Sequence, residues 1–206
     1  MQRVNSIRYL KNLIVGDYAA GTYAEIDATG NIVMQNGALT IDDLCVDAGE
    51  GITDGTGTLI KSGVIKVGEI IRTSFLLDIT GLGSSTTDLD IIGTGTEAAY
   101  FSQITAAING TILSGRMTCL EVPAGGADDI DLYSAEEATG AFDDGVASLT
   151  ETALVTAGAA WTLGLTKGFS GIPPTDDYLY LCGGEAGTAA VYTAGKFLIE
   201  LDGYTA

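Results

Sequence analysis

The sequence predicts an all-β fold, a β-sandwich or jelly-roll-like barrel with an extended N-terminal arm and hairpin region. Three observations predict it. Residues 69–81, EIIRTSFLLDITG, place Ile71, Thr73, Phe75, Leu77 and Ile79 on one parity, with Arg72, Ser74, Asp78 and Thr80 on the other. That is the two-residue period of a strand with one buried face. Glycine supplies 29 of 206 residues and is scattered between apolar runs without a three-residue period, which suits short strands joined by tight turns. No amphipathic stretch of helical length separates the strand-like runs, so a parallel βαβ architecture is disfavoured.

Taken in order, residues 1–58 read as an arm and β-hairpin region, and residues 59–206 as the sandwich or barrel domain. Residues 24–27 and 32–34 form a hairpin about Gly30-Asn31, and Asn36-Gly37 is a second turn signal. Residues 38–47 read as a strand with Leu39, Ile41 and Cys45 facing one way. The Gly-rich stretch 48–57, AGEGITDGTG, is the natural boundary. Residues 59–67 form a strand leading into 69–81. Residues 98–107 fit either a strand or a helical turn or two. Asn109-Gly110 signals a hairpin, followed by a strand over 111–122 with Leu113, Met117 and Cys119 on one face. Ile130 and Leu132 alternate with Asp129, Asp131 and Tyr133 as a half-exposed strand. Residues 134–145 read as an acidic surface loop, and 146–165 as a strand with irregular structure around Trp161. Residues 178–182 and 191–204 read as a closing hairpin, with Phe197, Ile199 and Leu201 on its inner face.

Charge narrows the function classes. Nine Lys and Arg stand against 27 Asp and Glu, a net charge of −18. Three of the nine, Arg3, Arg8 and Lys11, lie in an N-terminal stretch with no acid, so the remainder carries six cations against 27 anions. Such a body repels phosphate backbones, which argues against nucleic acid as a partner. The basic start is either an arm that docks on an acidic partner or a solvated terminus. No signal peptide or membrane-spanning run is visible. Cys45, Cys119 and Cys182 are odd in number and widely spaced within apolar runs. They read as buried, inert thiols of a protein assembled in a reducing compartment, without a disulfide framework or zinc site.

Catalytic chemistry is sparse. The chain has no histidine, which removes the usual hydrolase triads and the commonest general base. Gly81-Leu82-Gly83 is a turn rather than a dinucleotide loop. Carboxylate pairs such as Asp88 and Asp90, or Asp128, Asp129 and Asp131, would suit a glycosidase, but nothing singles one out. The reading is non-enzymatic, with no cofactor and no metal site. Asp128-Asp129-Ile130-Asp131 and Asp143-Asp144 offer hard oxygen ligands for calcium, yet solvated acidic loops are the favoured reading. Asp42-Asp43 and Asp176-Asp177 read as turn and strand-edge residues. Tyr178, Tyr180, Tyr192 and Tyr204 would stack on sugars if exposed, but are equally good strand residues, and that reading is favoured.

From residue 55 to 204 the chain resembles small virion proteins of tailed bacteriophages found in marine and freshwater phages. The likeness lies in GTGTLIKSGVIKVGEIIRTSFLLDITGL, in NGTILSGRMTCLEVPAGG with DIDLYSA after it, and in YTAGKFLIELDGY. It implies a structural component of the particle, made in the host cytoplasm and carried on the capsid surface. More narrowly it implies a head decoration (cement) protein whose partner is the major capsid protein, commonly as a trimer at lattice three-fold positions. On that reading Arg3, Arg8, Tyr9, Leu10 and Lys11 of the arm would contact a neighbouring subunit. The alternative is a tail-associated or receptor-binding, glycan-binding β protein. A bacterial surface adhesin would carry the signal peptide not found here.

Overall fold

This computed structural model describes residues 51–187 and 189–205 and, before them, the backbone of three strands. The chain divides into two compact units, Met1–Leu44 and Cys45–Ala206. In the first, β1 (Leu13–Asp17), β2 (Thr22–Ile26) and β3 (Ile32–Gln35) form an antiparallel sheet in the order β1-β2-β3. Ile26 pairs with Ile32, which closes the expected hairpin. The turn at Asn36-Gly37 and the strand expected over residues 38–47 lie outside the described residues.

The second unit is nearly all β. Its elements are β4 (Leu59–Val67), β5 (Ile70–Asp78), β6 (Gly83–Ser84), β7 (Ser102–Gln103), a short helix α1 (Ala106–Asn109), β8 (Thr111–Ala124) and β9 (Ile130–Ala135). They continue with β10 (Glu151–Val155), β11 (Thr166–Gly168), β12 (Tyr178–Gly183), β13 (Ala190–Val191) and β14 (Ala194–Tyr204). A five-stranded antiparallel sheet runs β11-β8-β14-β5-β4, and a four-stranded one runs β10-β9-β12-β7. A small ribbon, β13-β6, lies beside them. The large sheet ends in β11 on one side and β4 on the other, so it does not close, and the expected barrel gives way to an open sandwich.

The alternation in β5 does what its sequence predicts. Ile71, Phe75 and Leu77 turn inward, while Arg72, Ser74 and Asp78 face out. Beside it β14 buries Phe197, Ile199 and Leu201, and β8 buries Met117 and Cys119. These meet Ile130, Leu132, Leu154, Leu179 and Leu181 of the second sheet in one core. Edge-to-face ring pairs tie the layers, Phe75 on Phe101 at 5.5 Å and Trp161 on Phe197 at 5.4 Å. The ambiguous stretch 98–107 holds both alternatives in turn, since β7 is followed directly by α1. Asn109 then ends the helix rather than turning a hairpin. Its buried amide donates to Thr73 Oγ1 at 3.0 Å and accepts from the Thr105 N–H at 2.8 Å, which satisfies an otherwise costly polar pair.

Four expectations are corrected. Residues 178–182 and 191–204 do not form a hairpin: β12 belongs to the four-stranded sheet and β14 to the five-stranded one. Leu113 does not face inward with Met117. The register slips so that Asp202 pairs with Ser114 and Gly203 with Ile112, which leaves Leu113 as the extra residue of a bulge, turned to solvent. The strand over 130–135 is not half-exposed, because every residue of β9 is buried. Residues 134 and 135 are accordingly strand, not surface loop. The second face of β9 and β12 is covered by Ile91, Ala99, Tyr100, Val146 and Leu149, which pack with Tyr133, Ala135, Tyr180 and Cys182.

Phe197 is fully buried between the sheets, so Phe197→Ala is expected to cost ~3–5 kcal/mol in urea unfolding followed through Trp161 fluorescence. Leu198→Ala, on the outer face of the same strand, is expected to cost no more than ~1 kcal/mol. Equal costs would mean that the sheet is assigned the wrong buried face.

Candidate functional site

Two places in the second unit are chemically unusual. One is the outer face of the five-stranded sheet and its edge strand β4. The other is a set of carboxylates at the start of β9.

On the outer sheet face, cations and anions on neighbouring strands pair across the ladder. Arg72 contacts Asp202 at 2.8 Å, and Arg116 contacts Glu200 at 2.6 Å. Lys196 spans Asp78 at 3.2 Å and Glu121 at 2.5 Å. Burial alone would raise the Asp78 carboxyl, but two hydrogen bonds from Thr80 and the Lys196 ammonium outweigh it and hold Asp78 below the usual carboxylate range. One end of this face is apolar instead. Val67 pairs with Ile70, and Ile70 with Tyr204, so their side chains form a row on one face. Val67 is 72% exposed, Ile70 55% and Tyr204 37%, with Ile65 at 63% beside them. Leu113, pushed out by the bulge, joins the same end.

The edge next to this row is β4. It pairs with β5 on one side and ends the sheet on the other. The two-residue turn joining β4 to β5 holds Gly68 at φ 64, the conformation a type II′ hairpin requires of its first turn residue. Among the described residues Lys61 and Lys66 make no ion pair, whereas Arg72, Arg116 and Lys196 all do. Both unpaired lysines are exposed on β4. An edge lysine is a familiar guard against unwanted strand pairing, and it also attracts an acidic partner.

The second place corrects the reading of residues 128–131 as a solvated acidic loop. Asp129 and Asp131 are each only 4% exposed. Asp131 Oδ1 accepts from the Ala157 N–H at 2.6 Å. Asp129 Oδ1 is buried with no hydrogen-bond partner. Lys167 lies nearby, donating to the Ala157 carbonyl and standing 5.8 Å from the Trp161 ring centre. Burial raises both carboxyls above their ordinary value, and Asp131, with Asp129 adding to the push, reaches about 6. Burial likewise raises Asp177 against its hydrogen bond from Ser134 at 2.7 Å. Among the described residues no three His, Cys, Asp or Glu side chains are grouped to hold a metal ion.

Asp90, Asp143 and Asp144, also considered from sequence, have local structural partners. Asp90 accepts from Ser85 Oγ at 2.6 Å, and Ser85 also contacts Asp143. Asp144 accepts from the Ala141 N–H at 3.0 Å. Asp176, at φ 73, is a turn residue as expected. Tyr180 and Tyr192 are fully buried, donating to the carbonyls of Glu137 at 2.7 Å and Ala127 at 2.9 Å, so neither offers a ring to a sugar. Cys119 and Cys182 are buried thiols whose pKa is raised by that burial. Cys45, Asp42, Asp43 and the expected partner-binding residues Arg3, Arg8, Tyr9, Leu10 and Lys11 lie outside the described residues. A shallow groove of about 440 Å³ near Gly83, Gly93, Phe142 and Val191 has no convergent charged groups. Among the described residues no helix is long and apolar enough to cross a membrane. Comparisons with protein-family models, with curated proteins and with solved structures return no match.

The buried carboxyls give the protein an uncommon pH dependence. A carboxyl raised on folding contributes stability that is complete below its unfolded pKa, near ~4, and is lost as pH rises through its folded value. For Asp131 that loss spans the interval up to about 6. In buffer without divalent cations, raising the pH from about 4 to 7 is expected to lower stability by ~1–3 kcal/mol. Asp131→Asn should flatten the slope of the urea midpoint against pH. A variant whose slope matches the wild type would assign the effect to other groups.

Proposed function

We propose that this chain is a structural virion protein of a tailed bacteriophage, a head decoration protein that clamps neighbouring major capsid subunits. The observation that carries the reading is the β4 edge. It is a nine-residue strand that, among the described residues, pairs with β5 on one side and ends the sheet. It bears two exposed lysines that make no ion pair among the described residues, in an acidic body, and borders the exposed row of Val67, Ile70 and Tyr204. A sheet edge offers main-chain hydrogen bonds to an extended segment, the lysines favour an acidic one, and the apolar row provides contact area. The resemblance over residues 55–204 supplies the partner, a capsid subunit presenting such a segment.

On this reading the protein sits as a trimer at lattice three-fold positions, where one modest contact repeats around the symmetry axis and avidity compensates for weak individual interfaces. The rigid sandwich spaces the contacts, and the acidic remainder keeps the outer surface soluble and repels nucleic acid. The N-terminal Arg3, Arg8, Tyr9, Leu10 and Lys11 provide a second contact to the neighbouring subunit.

The test is decoration of purified heads that lack the protein. Reversing both edge charges, Lys61→Glu with Lys66→Glu, is expected to weaken head binding by roughly tenfold or more, with a melting temperature close to wild type because both side chains are exposed. Ile70→Asp should do the same through the apolar row. Full occupancy by both variants at wild-type concentration would overturn the β4 contact.

A further inference from the structure

We propose that the start of β9 and the turn at Gly184 form a binding site for one hard divalent cation of the calcium class, with Asp129 and Asp131 as its carboxylate ligands. Four observations converge on it. Asp129 is 4% exposed, and its Oδ1 has no hydrogen-bond partner. A carboxylate oxygen in that position loses its hydration and gains nothing in return. The orphan oxygen is aimed at the same place as its neighbour: a point one Cβ bond above Gly184 lies 2.6 Å from Asp129 Oδ1 and 2.8 Å from Asp131 Oδ1. Any side chain at Gly184 would collide with both oxygens, so only glycine lets the two carboxylates converge there. Gly184 is held there by its own N–H, which donates to the Asp129 carbonyl at 2.9 Å.

Charge points the same way. Asp128 and Glu185, both exposed, stand at the mouth with their carboxyls in hydrogen-bonding contact; lost hydration first, and then the Asp128 charge and hydrogen bond, raise Glu185. Asp88 adds a further negative charge to the surroundings of Asp129 and Asp131. Among the described residues the cation facing these groups is Lys167, whose ammonium is engaged by the Ala157 carbonyl and lies over the Trp161 ring. The buried pair alone carries more negative charge than that lysine balances. Calcium takes six to eight oxygens and accepts carboxylates, main-chain carbonyls and water in irregular arrangements. Two carboxylates with carbonyls and water therefore suffice for it, whereas zinc favours the nitrogen and sulfur ligands that this site lacks.

The fold carries a reporter. Trp161 is the only tryptophan, and it is fixed to the same strand: its main-chain N–H donates to the Asp128 carbonyl at 3.0 Å and its indole to the Ile130 carbonyl at 2.8 Å. Terbium, a luminescent substitute for calcium, bound between Asp129 and Asp131 would be sensitised by that indole. The full chain is titrated with terbium at fixed ionic strength with indole-selective excitation, and the complex is then titrated with calcium. The expected result is a saturable signal of one ion per chain, displaced by calcium. Asp129→Asn, which keeps the shape, is expected to weaken binding by roughly tenfold or more, and Glu185→Gln at the exposed mouth by a few-fold. Absence of a saturable signal in the wild type overturns the site. So does an unsaturable signal abolished by moderate salt, the behaviour of a diffuse acidic surface. Undiminished affinity in Asp129→Asn also overturns it.

Discussion

The inward row Phe197, Ile199 and Leu201 holds the second unit together, because β14 is paired on both sides. Its residues Lys196 to Tyr204 run in unbroken register with β5, and the same strand pairs with β8 through three register shifts. The β5 side is fixed by strict alternation, since a slip of one residue would carry Phe75 and Leu77 into solvent. The β8 side tolerates slips because bulges absorb them, and one of them exposes Leu113. Across the core, Phe197 meets Trp161, whose indole is tied to the main chain of β9. The central strand of one sheet and the first strand pair of the other are thereby joined through two aromatic rings.

From that constraint follows an asymmetry between the sheets. The five-stranded sheet has one solvated face, where ion pairs line the ladder and an apolar row marks one end. The four-stranded sheet has none, because residues 89–101 and 146–149 cover its second face. Polar groups carried inside by that cover need partners. Asp131 has the Ala157 N–H and Asp129 Oδ1 has no hydrogen-bond partner, while Ser134, on the face toward the other sheet, has Asp177. The unusual groups of the molecule thus arise where a sheet is wrapped on both sides and where another is left open.

The all-β class and the faces of β5 and β14 are legible in the sequence because they depend on local alternation and turn residues. What is not legible depends on distant cover and on register. Tyr178 to Cys182 is apolar on both parities, which signals burial on two faces but not which sheet receives it, and adjacency in sequence misleads there. Asp129 and Asp131 alternate with Ile130 and Leu132 as solvent-facing residues would, and only the loops that fold over them make them buried. A bulge such as that at Leu113 has no Gly or Pro to announce it. The lysines of β4 are visible as cations, but that they make no ion pair among the described residues emerges only when Arg72, Arg116 and Lys196 are seen paired on other strands.

A basic edge strand beside an apolar row is the feature that the proposed clamp on a capsid lattice would use, and a lattice clamp has a stoichiometry that follows from symmetry. The most direct measurement is the copy number of this chain in purified particles, by quantitative mass spectrometry against the major capsid protein. A ratio near one, or near a simple fraction set by the lattice, is the result predicted for a decoration protein. A ratio of only a few copies per particle would contradict it and place the chain at the tail.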